Sequence, residues 1–104
     1  MNTFTRIIEQ NIDDPNLTNT DLAKKTGLSE RQFYRRIEML TGLSPNKFIR
    51  GMRLKKAEKL LRSGQYETVK EVALRVGFIK VSWFSKLFER EMGQRPLDLL
   101  KREF

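Results

Sequence analysis

The fold is decided by the stretch LAKKTGLSERQFYRRIEMLTGLSP at residues 22–45, which is repeated at residues 72–96 as VALRVGFIKVSWFSKLFEREMGQRP. The copies align at an offset of 50 residues as far as the residue after the first glycine, and at 51 residues beyond it. The second copy therefore has one extra residue in its central connection. Each copy predicts a helix, a glycine turn, a second helix, another glycine and a helix that begins at proline.

Each copy also has the residues that a helix-turn-helix needs. Ala23 and Ala73 are small enough for two helices to cross closely, and the glycine four residues later supplies a left-handed turn. The second helix of each copy buries one face at i, i+4 spacing, through Phe33 and Ile37 in the first copy and Phe84 and Phe88 in the second. A helical bundle duplicated only for stability is the alternative interpretation.

Polar caps and stop signals predict seven helices and no strand. Helix starts are marked by Thr20 and by Ser44 before Pro45. Two further starts are marked by predicted capping boxes, Ser29 with Gln32 and Thr68 with Glu71, in which the second side chain bonds the backbone N–H of the first residue. The predicted fold class is all-α, with two helix-turn-helix subdomains joined by a long linker helix. Along the chain we expect a lead-in helix in residues 1–16, the first helix-turn-helix in 17–44, the linker helix in 45–64, and the second helix-turn-helix with a closing helix in 65–104.

The composition excludes several classes of protein. The 104 residues include no cysteine and no histidine, so a disulfide framework, a Ser–His or Cys–His catalytic apparatus and a zinc site with such ligands are impossible. No carboxylate or lysine site for catalysis stands out, and we expect neither enzymatic activity nor a cofactor. No run approaches the ~20 apolar residues of a membrane span, and the N-terminus lacks a signal peptide, so we expect a cytoplasmic location.

The net charge of +8 favours a polyanionic partner, either nucleic acid or an acidic membrane surface. The excess is local, because residues 29–64 carry a net +7, whereas residues 1–28 carry −1 and residues 65–104 carry +2. A linker helix from Pro45 to about Arg62 would be about 27 Å long, close to the ~34 Å between successive major grooves on one face of DNA. A solvated helix face is the alternative interpretation of its cations.

The candidate DNA-contacting side chains lie on the outward face of each second helix. Arginine can bond both O6 and N7 of guanine, and tyrosine can stack or contact a thymine methyl or a phosphate. In the first copy the candidates are Arg31, Tyr34 and Arg35, with Arg36 towards the DNA backbone. In the second copy, which has fewer long hydrogen-bonding side chains, they are Lys80, Val81, Ser82, Ser85 and Lys86.

Two runs of residues match a known pattern. The first is Gly42-Leu43-Ser44-Pro45, then Phe48-Ile49, Arg53-Leu54, Ala57 and Leu60-Leu61; the second is Val72-Ala73, Gly77-Phe78, Ser82-Trp83-Phe84-Ser85, Phe88, Gly93 and Pro96. They resemble the linker and second helix-turn-helix signatures of the AraC/XylS family of bacterial transcription regulators, over roughly residues 17–100. The resemblance implies homeodomain-like units that bind adjacent major grooves, usually to activate transcription by contacting RNA polymerase.

The resemblance also implies which residues contact bases, and it predicts an unequal division between the units. By position the family's base-reading residues are Arg31, Tyr34 and Arg35 in the first unit, and Val81, Ser82, Ser85 and Lys86 in the second. Ile79 and Val81 stand where the family more often has polar residues, and Leu99-Leu100 replace its closing aromatic–arginine pair. We therefore expect the first unit to supply most of the specificity.

The expected partners are promoter DNA and RNA polymerase, with no membrane. Members of the family commonly carry a ligand-binding, receiver or dimerisation domain, and residues 4–15 resemble the segment before this domain in two-component-type regulators. We expect a fragment of a larger regulator, monomeric as an isolated domain, with a small stand-alone activator as the alternative. From other classes, a basic RNA-binding or ribosome-associated helical protein and a partner-binding or membrane-surface helical module stay open.

Overall fold

The structure, a computed structural model, describes residues 3–101, which form seven α-helices and no strand. The helices are α1 Thr3–Asn11, α2 Asn19–Thr26, α3 Glu30–Thr41, α4 Pro45–Arg62, α5 Val69–Arg75, α6 Val81–Met92 and α7 Pro96–Leu99. The predicted all-α class is confirmed. The predicted lead-in and closing segments also include residues 1–2 and 102–104, which lie outside the described residues. Between residues 3 and 101 no helix has both the length and the apolar character needed to cross a bilayer.

Side-chain caps fix where the second helix of the first unit begins. The Ser29 hydroxyl accepts from the Gln32 N–H at 3.1 Å, and Gln32 Oε1 accepts from the Ser29 N–H at 2.9 Å, which confirms the predicted capping box.

The cap of α5 differs from the predicted one. The Thr68 hydroxyl accepts from the Glu71 N–H at 3.1 Å and donates to the Glu71 carboxylate at 3.2 Å. That carboxylate therefore bonds the cap side chain, where the prediction had it bonding the cap backbone.

Helix α2 begins earlier than the sequence predicted. Its N-cap is Thr18, whose hydroxyl accepts from the Asp21 N–H at 3.1 Å while Asp21 Oδ2 accepts from the Thr18 N–H at 3.2 Å. Asp21 lies three residues after Thr18, which is the spacing that a capping box requires. Thr20 lies in the first turn instead, where its hydroxyl donates to the Glu30 carboxylate at the start of α3.

The helices enclose two apolar cores, and α4 contributes to both. The first core joins α1, α2, α3 and the start of α4; its buried residues are Phe4, Ile8, Ile12, Leu22, Ala23, Phe33, Ile37 and Ile49. The second joins the rest of α4 to α5, α6 and α7; its buried residues are Leu54, Ala57, Leu61, Val72, Ala73, Val76, Phe78, Phe84, Leu87, Phe88 and Leu99. The linker helix therefore packs against one unit with its first half and against the other with its second half.

The turn before each second helix is built in the same way in both units. Gly27 and Gly77 have φ angles of +74° and +93°, a region that favours glycine. In each unit the residue after this glycine donates its N–H to the carbonyl of the matching alanine, at 2.9 Å in both. The extra residue of the second unit follows this bond, because Ser29 alone caps α3 whereas Ile79 and Lys80 both precede α6.

Candidate nucleic-acid interface

The first unit presents α3 with one face fixed in the core and the other open. Phe33 and Ile37, one turn apart, are fully buried, which sets the rotation of the helix about its axis. The opposite face exposes the three predicted base-contacting residues, Arg31, Tyr34 and Arg35. Neither arginine forms an ion pair with an acidic side chain of residues 3–101, so both guanidiniums are available to an anionic or hydrogen-bonding ligand.

Arg36 is placed differently from its neighbours on α3. Its guanidinium carbon lies 5.2 Å from the centre of the Phe4 ring, a cation–π contact with α1. The Phe4 ring also packs against Phe33, with 5.8 Å between ring centres. Arg36 is thus held beside α1 at the edge of the exposed α3 face, and its expected contact with the DNA backbone stays a prediction.

Helix α6 repeats the register of α3. Because α3 follows Ser29 and α6 follows Lys80, three residues of α6 occupy the helical positions of Arg31, Tyr34 and Arg35. These three are Ser82, Ser85 and Lys86. Ser82 and Lys86 are exposed, as is Lys80, so the second unit offers a hydroxyl and two ammonium groups where the first offers two guanidiniums and a phenol.

Two of the predicted α6 residues are less exposed than the sequence indicated. Val81 and Ser85 are half-buried, Val81 packs against the second core, and both border a shallow groove that also involves Arg95 and Pro96. The physical reason is that the start of α5 and the region of α7 fold over this side of α6. The structure therefore brings Lys80, Ser82 and Lys86 to the surface and leaves Val81 and Ser85 at its edge.

A cleft of about 710 Å³ separates the two units on the side of the α6 turn. Ile79 and Trp83, which are 68% and 49% exposed, border it on the side of the second unit. The facing wall comes from the segment before α2 and from the first parts of α2 and α4; its polar residues include Asn19, Asn46 and Arg50. The sequence did not single out these three residues as part of a site. The signal that it offered for them was weak: Asn19 and Asn46 are polar residues near predicted helix starts, and Arg50 is one of several cations on the predicted linker helix.

Other arginines of the chain are held by intramolecular partners. Arg53 donates from Nε and Nη2 to the backbone carbonyls of Ile12 and Asp14, and burial lowers the pKa of its guanidinium while the nearby aspartates oppose that shift. Arg95 donates from Nε and Nη2 to both oxygens of Asp98 at 3.1 Å, and this hydrogen bonding, with the charge of Asp98, raises the pKa of Arg95. The positive charge that is accessible on α3 and α6 therefore comes from exposed residues without such partners among the residues that the structure describes, including Arg31, Arg35, Lys80 and Lys86.

The structure has two helix-turn-helix units on one shared helix, and the second helix of each unit has an exposed polar face. This arrangement defines the class of double helix-turn-helix DNA-binding domains. A model of the helix-turn-helix domain family matches residues 22–102. The chain belongs to this family in its AraC-type form.

The proteins that are similar to the chain in sequence or structure are transcription regulators or their DNA-binding domains. The HTH-type transcriptional activator RhaS of Citrobacter koseri is 40% identical over 78 residues, which are 75% of this chain and 28% of the relative. A transcriptional regulator from Chromobacterium violaceum with an AraC-type DNA-binding domain is 27% identical with a TM-score of 0.83, over 92% of this chain and 84% of that chain. The DNA-binding domain of AdpA, in complex with a target DNA, is 27% identical with a TM-score of 0.80, over 94% and 89%.

These comparisons confirm the family and the DNA-binding function in transcription regulation that the sequence predicted. They give no support to the RNA-binding alternative. The chain spans 28% of the length of its RhaS relative.

Proposed function

We propose that the chain binds duplex DNA sequence-specifically, with α3 in one major groove and α6 in the next. The observation that carries this proposal is the equivalent register of the two helices on opposite halves of α4, whose 18 residues are about 27 Å long. The longest dimension of the molecule is 47 Å, the length of about 14 base pairs at ~3.4 Å each. Two major-groove contacts one helical turn apart fit within that length.

In this proposal α3 supplies most of the base discrimination. Arg31 and Arg35 are long, exposed and without ion-pair partners in the described part of the chain, and arginine recognises guanine through two parallel hydrogen bonds. Ser82 and Lys86 at the matching positions of α6 provide fewer donors of that kind. Arg36 and Lys80, at the edges of the two helices, are assigned to contacts with phosphates. Val81 and Ser85, which are half-buried, are assigned to contacts at the margin of the interface.

The wider role we propose is activation of transcription by a larger bacterial regulator. The name of the RhaS relative describes an activator, and the matched residues are 28% of its length. The proposed partners are promoter DNA and RNA polymerase, with an effector, receiver or dimerisation domain elsewhere in the full protein. The isolated domain would act as a monomer in the bacterial cytoplasm, without catalytic activity.

A selection from random duplexes at ~150 mM salt tests the DNA proposal, because non-specific phosphate binding is strongly suppressed as salt rises. We expect enrichment of an asymmetric site with two patches about 10 base pairs apart, the stronger one contributed by α3. The R31A/R35A double variant should lose the stronger patch, whereas Arg62→Ala, which removes an exposed cation from the end of α4, should keep both. Absence of any enriched sequence, with binding that disappears as salt rises, would refute sequence-specific reading.

A further inference from the structure

Three segments that are distant in the sequence converge on the side chain of Arg53. Arg53 Nε donates to the carbonyl of Ile12 at 2.7 Å, and Nη2 donates to the carbonyl of Asp14 at 2.9 Å. Ile12 is a buried residue of the first core and directly follows α1, whereas Arg53 lies in the middle of α4. The guanidinium therefore binds the end of α1 to the linker helix.

The second unit touches the same point through its glycine turn. A Cβ atom built on Gly77 would lie 2.7 Å from the Ile12 carbonyl oxygen and 3.0 Å from Arg53 Nε. The backbone of the turn between α5 and α6 is thus packed closely against the two atoms of the hydrogen bond between Arg53 and Ile12. We call this convergence of Ile12, Asp14, Arg53 and Gly77 the joint.

The joint lies where α4 passes from one core to the other. Ile49, one turn before Arg53, is buried in the first core, and Leu54, the next residue, is buried in the second. A guanidinium has only donors, and the carbonyls of Ile12 and Asp14 lie beyond the end of α1, where no N–H of that helix bonds them. The Arg53 guanidinium is the side-chain donor to both, and the Asp14 carbonyl also accepts from the Leu17 N–H at 3.2 Å. The two cores consist of different buried residues, and the joint adds a direct contact between the units to the one that α4 makes by packing in both.

From these contacts we infer that Arg53 is a positioning residue that fixes the mutual orientation of α3 and α6, and so sets the half-site spacing that the protein accepts on DNA. The inference rests on the proposed function, in which both helices enter DNA. Gly77 precedes the first residue of α6 by only four positions, so a shift of the turn at the joint moves the recognition helix of the second unit directly.

Binding to a set of duplexes tests this role. The set holds the selected site, versions in which the two patches are one or two base pairs closer or farther apart, and a duplex with the first patch alone. We expect the wild-type protein to prefer one spacing by about tenfold, and Arg53→Met to reduce that preference to within about threefold while its affinity for the single patch changes by less than about twofold. Arg62→Met removes the same charge from the same helix and should keep the wild-type spacing preference.

Arg53→Lys is the conservative variant. Its ammonium keeps the charge but cannot bridge the carbonyls of Ile12 and Asp14 with the planar fork of a guanidinium, so we expect a spacing preference between those of the wild type and Arg53→Met. It also serves if Arg53→Met does not fold, as judged by circular dichroism. A wild-type spacing preference in Arg53→Lys and in a folded Arg53→Met would overturn the inference. So would an equal loss on every duplex including the single patch, with a salt slope smaller by about one, because that result identifies a phosphate contact.

A distance measurement separates this inference from the proposed function. The chain has no cysteine, so Lys25→Cys and Lys70→Cys, both on exposed positions of α2 and α5, give one spin-label pair across the two units. We expect one narrow distance distribution with Arg53 present and a broader or displaced one with Arg53→Met, in the absence of DNA. Identical distributions would overturn the positioning role, whereas failure of the wild-type protein to select any site would refute the proposed function and leave this result standing.

Discussion

Gly77→Ala should destabilise the protein considerably more than Gly27→Ala, although the two glycines occupy the same place in the two units. Both have positive φ, +74° at Gly27 and +93° at Gly77. A side chain at such an angle costs about 1–2 kcal/mol. The surroundings differ, because nothing lies within 4 Å of a Cβ built at Gly27, whereas at Gly77 that atom would lie 2.7 Å from a backbone carbonyl oxygen.

The extra cost at Gly77 comes from forcing the joint apart. The Ile12 carbonyl is bonded to Arg53, so it cannot retreat without lengthening that hydrogen bond. Overpacking of this kind typically costs about 1–3 kcal/mol. We therefore expect about 1–2 kcal/mol for Gly27→Ala and about 2–5 kcal/mol for Gly77→Ala in the free energy of unfolding.

Urea unfolding followed by far-UV circular dichroism measures the difference. For a chain of this size the slope of the free energy with urea is about 1–2 kcal/mol/M, so an extra 2 kcal/mol lowers the midpoint by about 1–2 M. The comparison is valid if the slope is the same in the two variants. Equal midpoints for Gly27→Ala and Gly77→Ala would refute the close contact at the joint.

Three further changes probe the recognition helix, the second core and a helix cap. Arg35→Ala should cost about 1–3 kcal/mol in binding and relax the preference at one base position, measured by titrating single-base variants of the site; an equal loss on all sequences would make Arg35 a phosphate contact. Phe84→Ala should lower the free energy of unfolding by about 3–5 kcal/mol because Phe84 is fully buried, against less than about 0.5 kcal/mol for the exposed Leu40→Ala, and similar costs would contradict the second core. Thr18→Ala should cost about 1 kcal/mol and Thr20→Ala less, since Thr18 holds the N-cap; the reverse order would contradict the start of α2.

The architecture could be predicted from the sequence because its signals are local. Ser29 with Gln32 and the glycine at 42 mark the two ends of α3 within a few residues of chain. The predicted start of α2 was wrong because Thr18 and Thr20 lie close together, and only their distance along the sequence to Asp21 distinguishes them. Thr18 lies three residues before Asp21, which is the spacing of a capping box. That distance makes Thr18 the N-cap.

The candidate site was predictable only in part. Arg31 and Arg35 follow from the i, i+4 spacing of buried neighbours, which fixes the outward face of α3. The half-burial of Val81 depends on how α7 folds back over α6, which the periodicity of one helix does not contain. The bond from Arg53 to Ile12 joins residues 41 positions apart, and a cation on a basic helix gives no local sign of such a partner.

Dimethyl sulfate footprinting on the selected duplex tests the central claim most directly, because this reagent methylates guanine N7 in the major groove. With both recognition helices in the DNA, we expect two clusters of protected guanines about 10 base pairs apart on one face of the duplex. Arg35→Ala should release protection in the stronger cluster alone. A single protected cluster, or uniform protection along the duplex, would contradict an account in which α3 and α6 occupy adjacent major grooves.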